Sequence, residues 1–251
     1  MKIVIVGAST GLGRCTGIAL AQRGADVALL ARREALIVEA AKEAGPGTVA
    51  ITCDVTDEAA CRAAIDEAAS ALGGIDAVIY ASGIGVLSRI EDLDADTWNR
   101  AFATNVTGAS IVTAAALPYL AASHGSIVYL SSVSASMTAP WPGLGCYIVT
   151  KAALDKLVEV WRAEHSNVGF TRIIVGDCVG GDGDATSHLT DGWNHELMGE
   201  MFTTWAARGL LSESLIDIDH LVDLIDAVLR TGASATIPSI AITPRRPQEI
   251  S

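Results

Sequence analysis

Lys2-Ile3-Val4-Ile5-Val6-Gly7-Ala8-Ser9-Thr10-Gly11-Leu12-Gly13 joins an apolar run to a turn with three glycines. Its β-branched apolar run is too short for the core of a signal peptide and ends at Gly7, so it reads as a buried strand. The glycines at 7, 11 and 13 allow a tight strand-to-helix turn whose backbone can approach a diphosphate closely. The positive end of the following helix, opening at about Leu12, favours that charge. Ser9 and Thr10 lie inside the turn and join Gly7, Gly11, Leu12 and Gly13 as candidate nucleotide-binding residues. An ordinary strand-to-helix turn has similar glycines, so the pattern needs its context.

Outward from this turn the same alternation recurs. Short apolar runs at Lys2–Val6, Asp26–Ala31, Thr48–Cys53, Asp76–Tyr80, Ser126–Leu130 and Thr171–Val175 predict strands. Helical patterns fall near 12–23, 34–44, 57–72, 95–122 and 146–165, then near 217–231 before a last strand at Thr236–Thr243. Strands apolar on both faces and separated by helices predict a parallel sheet covered on both sides. The expected fold class is α/β, a doubly wound parallel sheet of Rossmann type with right-handed crossovers. No linker or repeat divides the chain, so residues 1–251 are expected to form one domain. Within it, 177–215 is a variable segment over the substrate cleft.

Composition narrows the function classes. The 251 residues are 50% hydrophobic with a formal net charge of −12, which excludes a disordered tail and argues against nucleic acid or an anionic membrane as partner. From Ala101 to Thr150 there is no Asp, Glu, Lys or Arg, where about nine charges would match the chain's average. Polar residues and glycines interrupt this run, so it predicts the buried centre of a globular fold rather than a membrane span. Cys15, Cys53, Cys61, Cys146 and Cys178 form no CxxC pair and no metal spacing, and read as reduced core residues of a cytosolic protein.

The second strand ends in Arg32-Arg33 where a carboxylate would meet a free ribose hydroxyl. Two guanidiniums suit a 2′-phosphate, so NADP(H) is expected over NAD(H). Tyr147 and Lys151 share a helix face, and Leu154, Val158 and Trp161 continue it, so both should point inward. A buried ammonium beside a phenol is expected to lower the phenol's pKa, making it a proton donor to a carbonyl or an acceptor from an alcohol. Asn105 lies on the apolar stripe Trp98, Phe102, Asn105, Ala109, Val112 and Ala116. It holds a relay water or the lysine, or else caps or kinks the helix. Ser131 and Ser132 end a sheet strand, where a hydroxyl can orient a substrate oxygen or simply serve the turn.

Together these residues resemble the short-chain dehydrogenase/reductase family over about residues 1–176. The matching pieces are Gly7-x-x-x-Gly11-x-Gly13, Asp54-Val55, Asn105 in Asn-Val-Thr-Gly, Ser131-Ser132 and Tyr147-x-x-x-Lys151. The resemblance implies that Tyr147 is the acid/base, Ser132 orients the carbonyl, Lys151 holds the nicotinamide ribose and tunes Tyr147, and Asn105 holds a relay water. Asp54 and Val55 would contact the adenine, and Ala81, Ser82 and Gly83 would lie beside the cofactor. The chain departs from the family at Val6 for Thr, at Tyr80-Ala81-Ser82-Gly83 for Asn-Asn-Ala-Gly, and at Asp177-Cys178 for Pro-Gly. It also lacks the frequent glycine-rich closing strand. Ser134 rivals Ser132, because Ser132 stands fifteen residues before Tyr147 and Ser134 thirteen.

His124, His165, His188, His195 and His220 form no metal pattern. His188 and His195 either touch substrate or sit at the surface. Trp141, Trp193 and Trp205 either line an apolar pocket or pack loops. The expected activity is NADP(H)-dependent interconversion of a moderately apolar alcohol and carbonyl, in a homodimer or homotetramer built through helices 95–122 and 146–165. The alternative is a nucleotide-binding regulatory or scaffold protein on the same fold.

Overall fold

The computed structural model describes residues 1–181 and 189–245. Seven parallel strands form one sheet: β1 (Lys2–Val6), β2 (Asp26–Ala31), β3 (Val49–Thr52), β4 (Ala77–Tyr80), β5 (Ser126–Ser132), β6 (Gly169–Val175) and β7 (Ser239–Ile242). Their order, β3-β2-β1-β4-β5-β6-β7, reverses direction at β1. In α/β sheets of this kind the crevice at such a reversal, beyond the carboxyl ends of the strands, is where ligands bind. Val6 pairs with Leu30 on one side and Tyr80 on the other, which sets Gly7, Ala31 and Ala81 at one level along that edge, with Arg32 the next residue out.

Strands buried on both faces require two helical layers. One layer comprises α3 (Glu58–Leu72), α5 (Gly108–Ser123) and α7 (Gly145–Glu164), which bury Ile65, Val112, Leu120, Leu154 and Val158 against Val4, Val78 and Ile127. The other comprises α1 (Gly11–Gln22), α2 (Glu34–Ala44) and α9 (Ile218–Leu229), which bury Ile18, Leu20, Ile37, Leu221 and Ile225 against Ile5, Leu29 and Ile79. Side-chain caps mark several helix starts: Asp57 accepts from the Ala60 amide at 3.0 Å and opens α3, and Asp94 opens α4 (Ala95–Phe102) through the Thr97 amide at 2.7 Å.

Two expectations need correction. The helix expected over 95–122 is not continuous: α4 and α5 are joined by a π-helical turn at Ala103–Thr107. The apolar stripe alone could not show this, because the wider turn is held by tertiary hydrogen bonds. Tyr80, buried beneath it, donates its hydroxyl to the Thr104 carbonyl at 2.6 Å. By length and composition Ala95–Ser123 could cross a membrane, yet its Ala109, Val112, Ala116 and Leu120 face is packed in the core. The second correction is a helix the sequence reading omitted, α8 (His195–Ala207), capped by Asn194 accepting from the Leu197 amide at 2.9 Å. Its Met201 and Trp205 join Leu87 and Trp141 in a separate apolar cluster beyond the sheet edge.

Candidate active site

The glycine turn is built as its sequence requires. Gly7 has φ +91°, and a Cβ there would stand 2.5 Å from the Ser82 amide nitrogen. A Cβ on Gly13 would stand 2.3 Å from the Gly7 carbonyl, so turn and helix meet at backbone distance. Thr10, the residue before α1, makes no side-chain cap, and no acidic side chain occupies the helix's first turn. The first amides of α1 are therefore left for an external anion, which fits the diphosphate of a dinucleotide.

Arg33 reaches this turn from the end of β2, its Nη2 donating to Ser9 Oγ and Thr10 Oγ1, both at 2.8 Å. Partial burial lowers its pKa, while Asp191 facing it raises it and Arg32 lowers it again. Arg32 points toward Asp54, with Nη1 4.0 Å from Oδ2, and both side chains are largely exposed. Burial raises the pKa of Asp54, but its bonds from the Thr56 amide and hydroxyl, at 2.9 and 2.8 Å, and the charge of Arg32 leave it below the ordinary value. Val55 is buried, and its carbonyl packs against Gly108.

The loop after β4 links this half of the crevice to the second. Ala81 packs on Gly13, the Ser82 backbone covers Gly7, and a Cβ on Gly83 would lie 3.5 Å from Lys151 Nζ and 3.6 Å from Asn105 Oδ1. Asn105, fully buried in the π-helical turn, accepts from the Ile84 amide at 2.8 Å and donates to the Ile84 carbonyl at 3.0 Å and Thr150 Oγ1 at 2.8 Å. Its side chain thus ties the β4 loop to α7, and the sequence reading had not foreseen these partners.

Tyr147 and Lys151 rise from α7 beside the end of β5. The Ser132 hydroxyl faces the Tyr147 phenol closely enough to draw its pKa down. Ser134 lies behind it, with its Oγ 2.9 Å from Ser132 Oγ, and its amide donates to Ser132 at 3.2 Å at the start of the short helix α6 (Val133–Ser136). Ser132, rather than Ser134, is therefore the serine that adjoins the tyrosine. Lys151 Nζ donates to the Leu130 carbonyl at 2.7 Å and stands 5.8 Å from the Tyr147 ring centroid.

The expected lowering of the Tyr147 pKa is overturned here. Burial pushes it up to about 12 and the Ser132 hydroxyl only partly opposes this. The ammonium is directed to the Leu130 carbonyl and the ring face, not to the phenol oxygen. Burial also pushes Lys151 down to about 8 against the opposing charge of Asp155.

The tryptophans pack rather than stand open. Trp193 Nε1 donates to the Gly85 carbonyl at 3.1 Å, Trp205 Nε1 donates to the Pro142 carbonyl at 2.8 Å, and the Trp141 and Trp205 rings are 5.3 Å apart. They fasten α8 to the loops flanking Gly83 and Tyr147. The spacing Leu197, Met201, Trp205 carried the signal for this helix. His195 is exposed at its first turn, while His188 lies outside the described residues, as does the rest of 182–188. His124 and His220 are exposed, and His165 stacks near Trp161. Asp177 and Cys178, where the family has Pro-Gly, pair with Ile216, whose amide donates to the Asp177 carbonyl at 2.8 Å. Among the described residues no cluster of His, Cys, Asp or Glu could hold a metal.

A glycine-turned crevice at the sheet reversal, faced by a serine–tyrosine pair and a buried lysine, has the backbone approach to suit a dinucleotide and groups able to move a proton. The family model for short chain dehydrogenases matches residues 1–188, and the chain belongs to that family. It is 34% identical to 11-beta-hydroxysteroid dehydrogenase A of Sesamum indicum over 69% of this chain and 51% of that protein. The chain thus spans about half the length of such curated relatives. An alcohol dehydrogenase from Thermococcus sibiricus, solved with 5-hydroxy-NADP, superposes with TM-score 0.76 at 21% identity over 96% of this chain and 94% of that one. A 3-ketoacyl-(acyl-carrier-protein) reductase from Brucella melitensis, solved with NADH, gives 0.78 at 19% identity over 96% of each.

Proposed function

We propose that the chain is an NADP(H)-dependent oxidoreductase that interconverts a carbonyl and an alcohol. The observation that carries this reading is the Ser132 hydroxyl on the Tyr147 phenol, with the Lys151 ammonium buried against the same ring. The amides opening α1 would hold the diphosphate. Ser9, Thr10 and Arg33 would take the ribose 2′-phosphate, and Asp54 the adenosine side. Lys151, beside Gly83, would hold the nicotinamide ribose. When bound, the nicotinamide supplies or accepts the hydride.

Tyr147 gives its phenol proton to the carbonyl oxygen as the carbon is reduced, or takes one from the alcohol in reverse. Ser132 donates to the same oxygen as charge develops, which fixes the carbonyl relative to Tyr147. The phenol is protonated at neutral pH, so the resting site is set for reduction. Lys151 adds positive charge beside the phenolate that forms. The Trp141–Trp205 cluster and Leu87 supply an apolar border suited to a moderately apolar substrate.

Val149 and Val160 are exposed along α7, which supports a homodimer or homotetramer through α5 and α7. Size-exclusion chromatography with light scattering reads this directly, and a monomer at micromolar concentration would refute it. Among the described residues no disulfide joins the five cysteines, which supports a reducing compartment. A screen of ketones and secondary alcohols with NADPH and with NADH tests the activity. Tight cofactor binding without turnover of any carbonyl would favour the regulatory alternative.

A further inference from the structure

Beneath the lysine lies a carboxylate that the proposed reaction does not use. Tyr147, Lys151 and Asp155 follow one another at four-residue steps along α7, so they lie one above the next on its inner face. Asp155 is 5% exposed, and neither of its oxygens makes a hydrogen bond. The equally buried Ser131 hydroxyl faces this carboxylate and lowers its pKa without closing a full hydrogen bond. Among the described residues the ion pair of Asp155 is with Arg172 on β6, Nη1 to Oδ2 at 3.4 Å, and the same Nη1 lies 3.4 Å from Glu159. A carboxylate so incompletely satisfied is costly to the fold, and apolar packing would serve stability better.

We propose that Asp155 is a positioning residue whose charge keeps Lys151 in its ammonium form from one helical turn below. The charged groups around the pair are few. Lys151 meets Tyr147 and Asp155 on its own helix and the Leu130 carbonyl on β5, and it borders Gly83, as does the neutral amide of Asn105. Asp155 meets Lys151 and Glu159 on α7, Ser131 on β5 and Arg172 on β6. Burial raises the Asp155 pKa first, and Ser131, Arg172 and Lys151 then oppose it. Arg172 therefore draws on the same carboxylate that Lys151 needs, and the two cations compete for it.

This role rests on the proposed function, but it can be tested without turnover. The chain has four lysines, Lys2, Lys42, Lys151 and Lys156, so 13Cε-lysine NMR gives a spectrum in which a Lys151→Met variant assigns the buried one. Asp155→Asn is expected to lower the Lys151 titration midpoint by about one pH unit, and Asp155→Glu to restore most of it. Arg172→Gln, which frees the carboxylate from its rival, is expected to raise the midpoint. A structural role alone would not move the midpoint in opposite directions. If the midpoint stays within about 0.2 units in both variants the proposal is overturned, and should Asp155→Asn fail to fold, the Arg172→Gln shift decides alone. Loss of activity with NADPH while these shifts persist would refute the oxidoreductase reading and leave this one standing.

Discussion

Arg33 and Thr10 are joined across the mouth of the crevice, the guanidinium at the end of β2 donating to the hydroxyl in the glycine turn at 2.8 Å. The bond connects the two segments that the sequence marks separately, the arginine pair and the glycine turn. It also prepares a site with a cation and two hydroxyls, Ser9 and Thr10, in one place. A phosphate with two or more free oxygens can accept from all three, whereas a ribose hydroxyl gains little from them.

Arg33→Ala is accordingly expected to weaken NADPH binding by about 10–100-fold while changing NADH binding less than about threefold. Arg32→Ala should cost about threefold, since its ion pair with Asp54 is exposed and screened. Isothermal titration of both cofactors against both variants measures this. Equal losses for NADPH and NADH in Arg33→Ala would mean that the arginine only orders the turn.

The serines separate on the same logic. Ser132 adjoins the Tyr147 phenol, while the Ser134 hydroxyl is hydrogen-bonded to Ser132. Ser132→Ala should lower kcat about 100–1,000-fold, the range for losing one donor to a developing oxyanion. Ser134→Ala should cost less than about tenfold by loosening Ser132. Tyr147→Phe should abolish turnover with cofactor affinity within about twofold of the parent. The reverse ranking of the serines in steady-state kinetics would return the role to Ser134.

Asn105 should behave as a structural as well as a site residue. Removing its amide leaves the Ile84 amide and carbonyl without their partner in a region where Asn105 itself is fully buried. Asn105→Ala is therefore expected to destabilise the fold by about 2–4 kcal/mol. Tyr80→Phe, which removes the hydroxyl donor to the Thr104 carbonyl in the same turn, should cost about 1–2 kcal/mol. Thermal unfolding of the two variants would show the larger drop for Asn105→Ala, and no change for either would mean that the π-helical turn holds itself.

What the sequence revealed and what it hid divide along a physical line. Val4, Leu29 and Ile79 could be assigned to buried strands because a parallel sheet demands apolar residues on both faces. Gly7 and Gly13 could be read because close backbone contact tolerates no Cβ. The π-helical turn at Asn105 was hidden, since an inserted residue barely disturbs an apolar stripe and is fixed by Ile84, Thr150 and Tyr80, distant in sequence. Helix α8 carried its signal in Leu197, Met201 and Trp205, but its packing against Gly85 and Pro142 is tertiary. Spacing placed Lys151 on the face of Tyr147 without revealing that its ammonium turns to the Leu130 carbonyl, and so the sign of the phenol's shift was misread.

That sign determines the pH dependence. With Tyr147 up at about 12 and Lys151 down at about 8, the site at neutral pH holds a protonated phenol and a cationic lysine. This is the form that donates a proton to a carbonyl. Reduction should therefore run level from about pH 6 to 7 and decline through pH 8 as Lys151 loses its proton, approaching tenfold per unit. Oxidation requires the phenolate, so its rate should climb with pH over the same interval until the loss of the lysine charge offsets the gain. The two directions, followed with one substrate pair under saturating cofactor, should give curves of opposite slope between about pH 7 and 8. A reduction rate that instead rises through pH 8 would show that the phenolate is the resting form once cofactor is bound. Lys151 would then act on the phenol as its sequence spacing first implied.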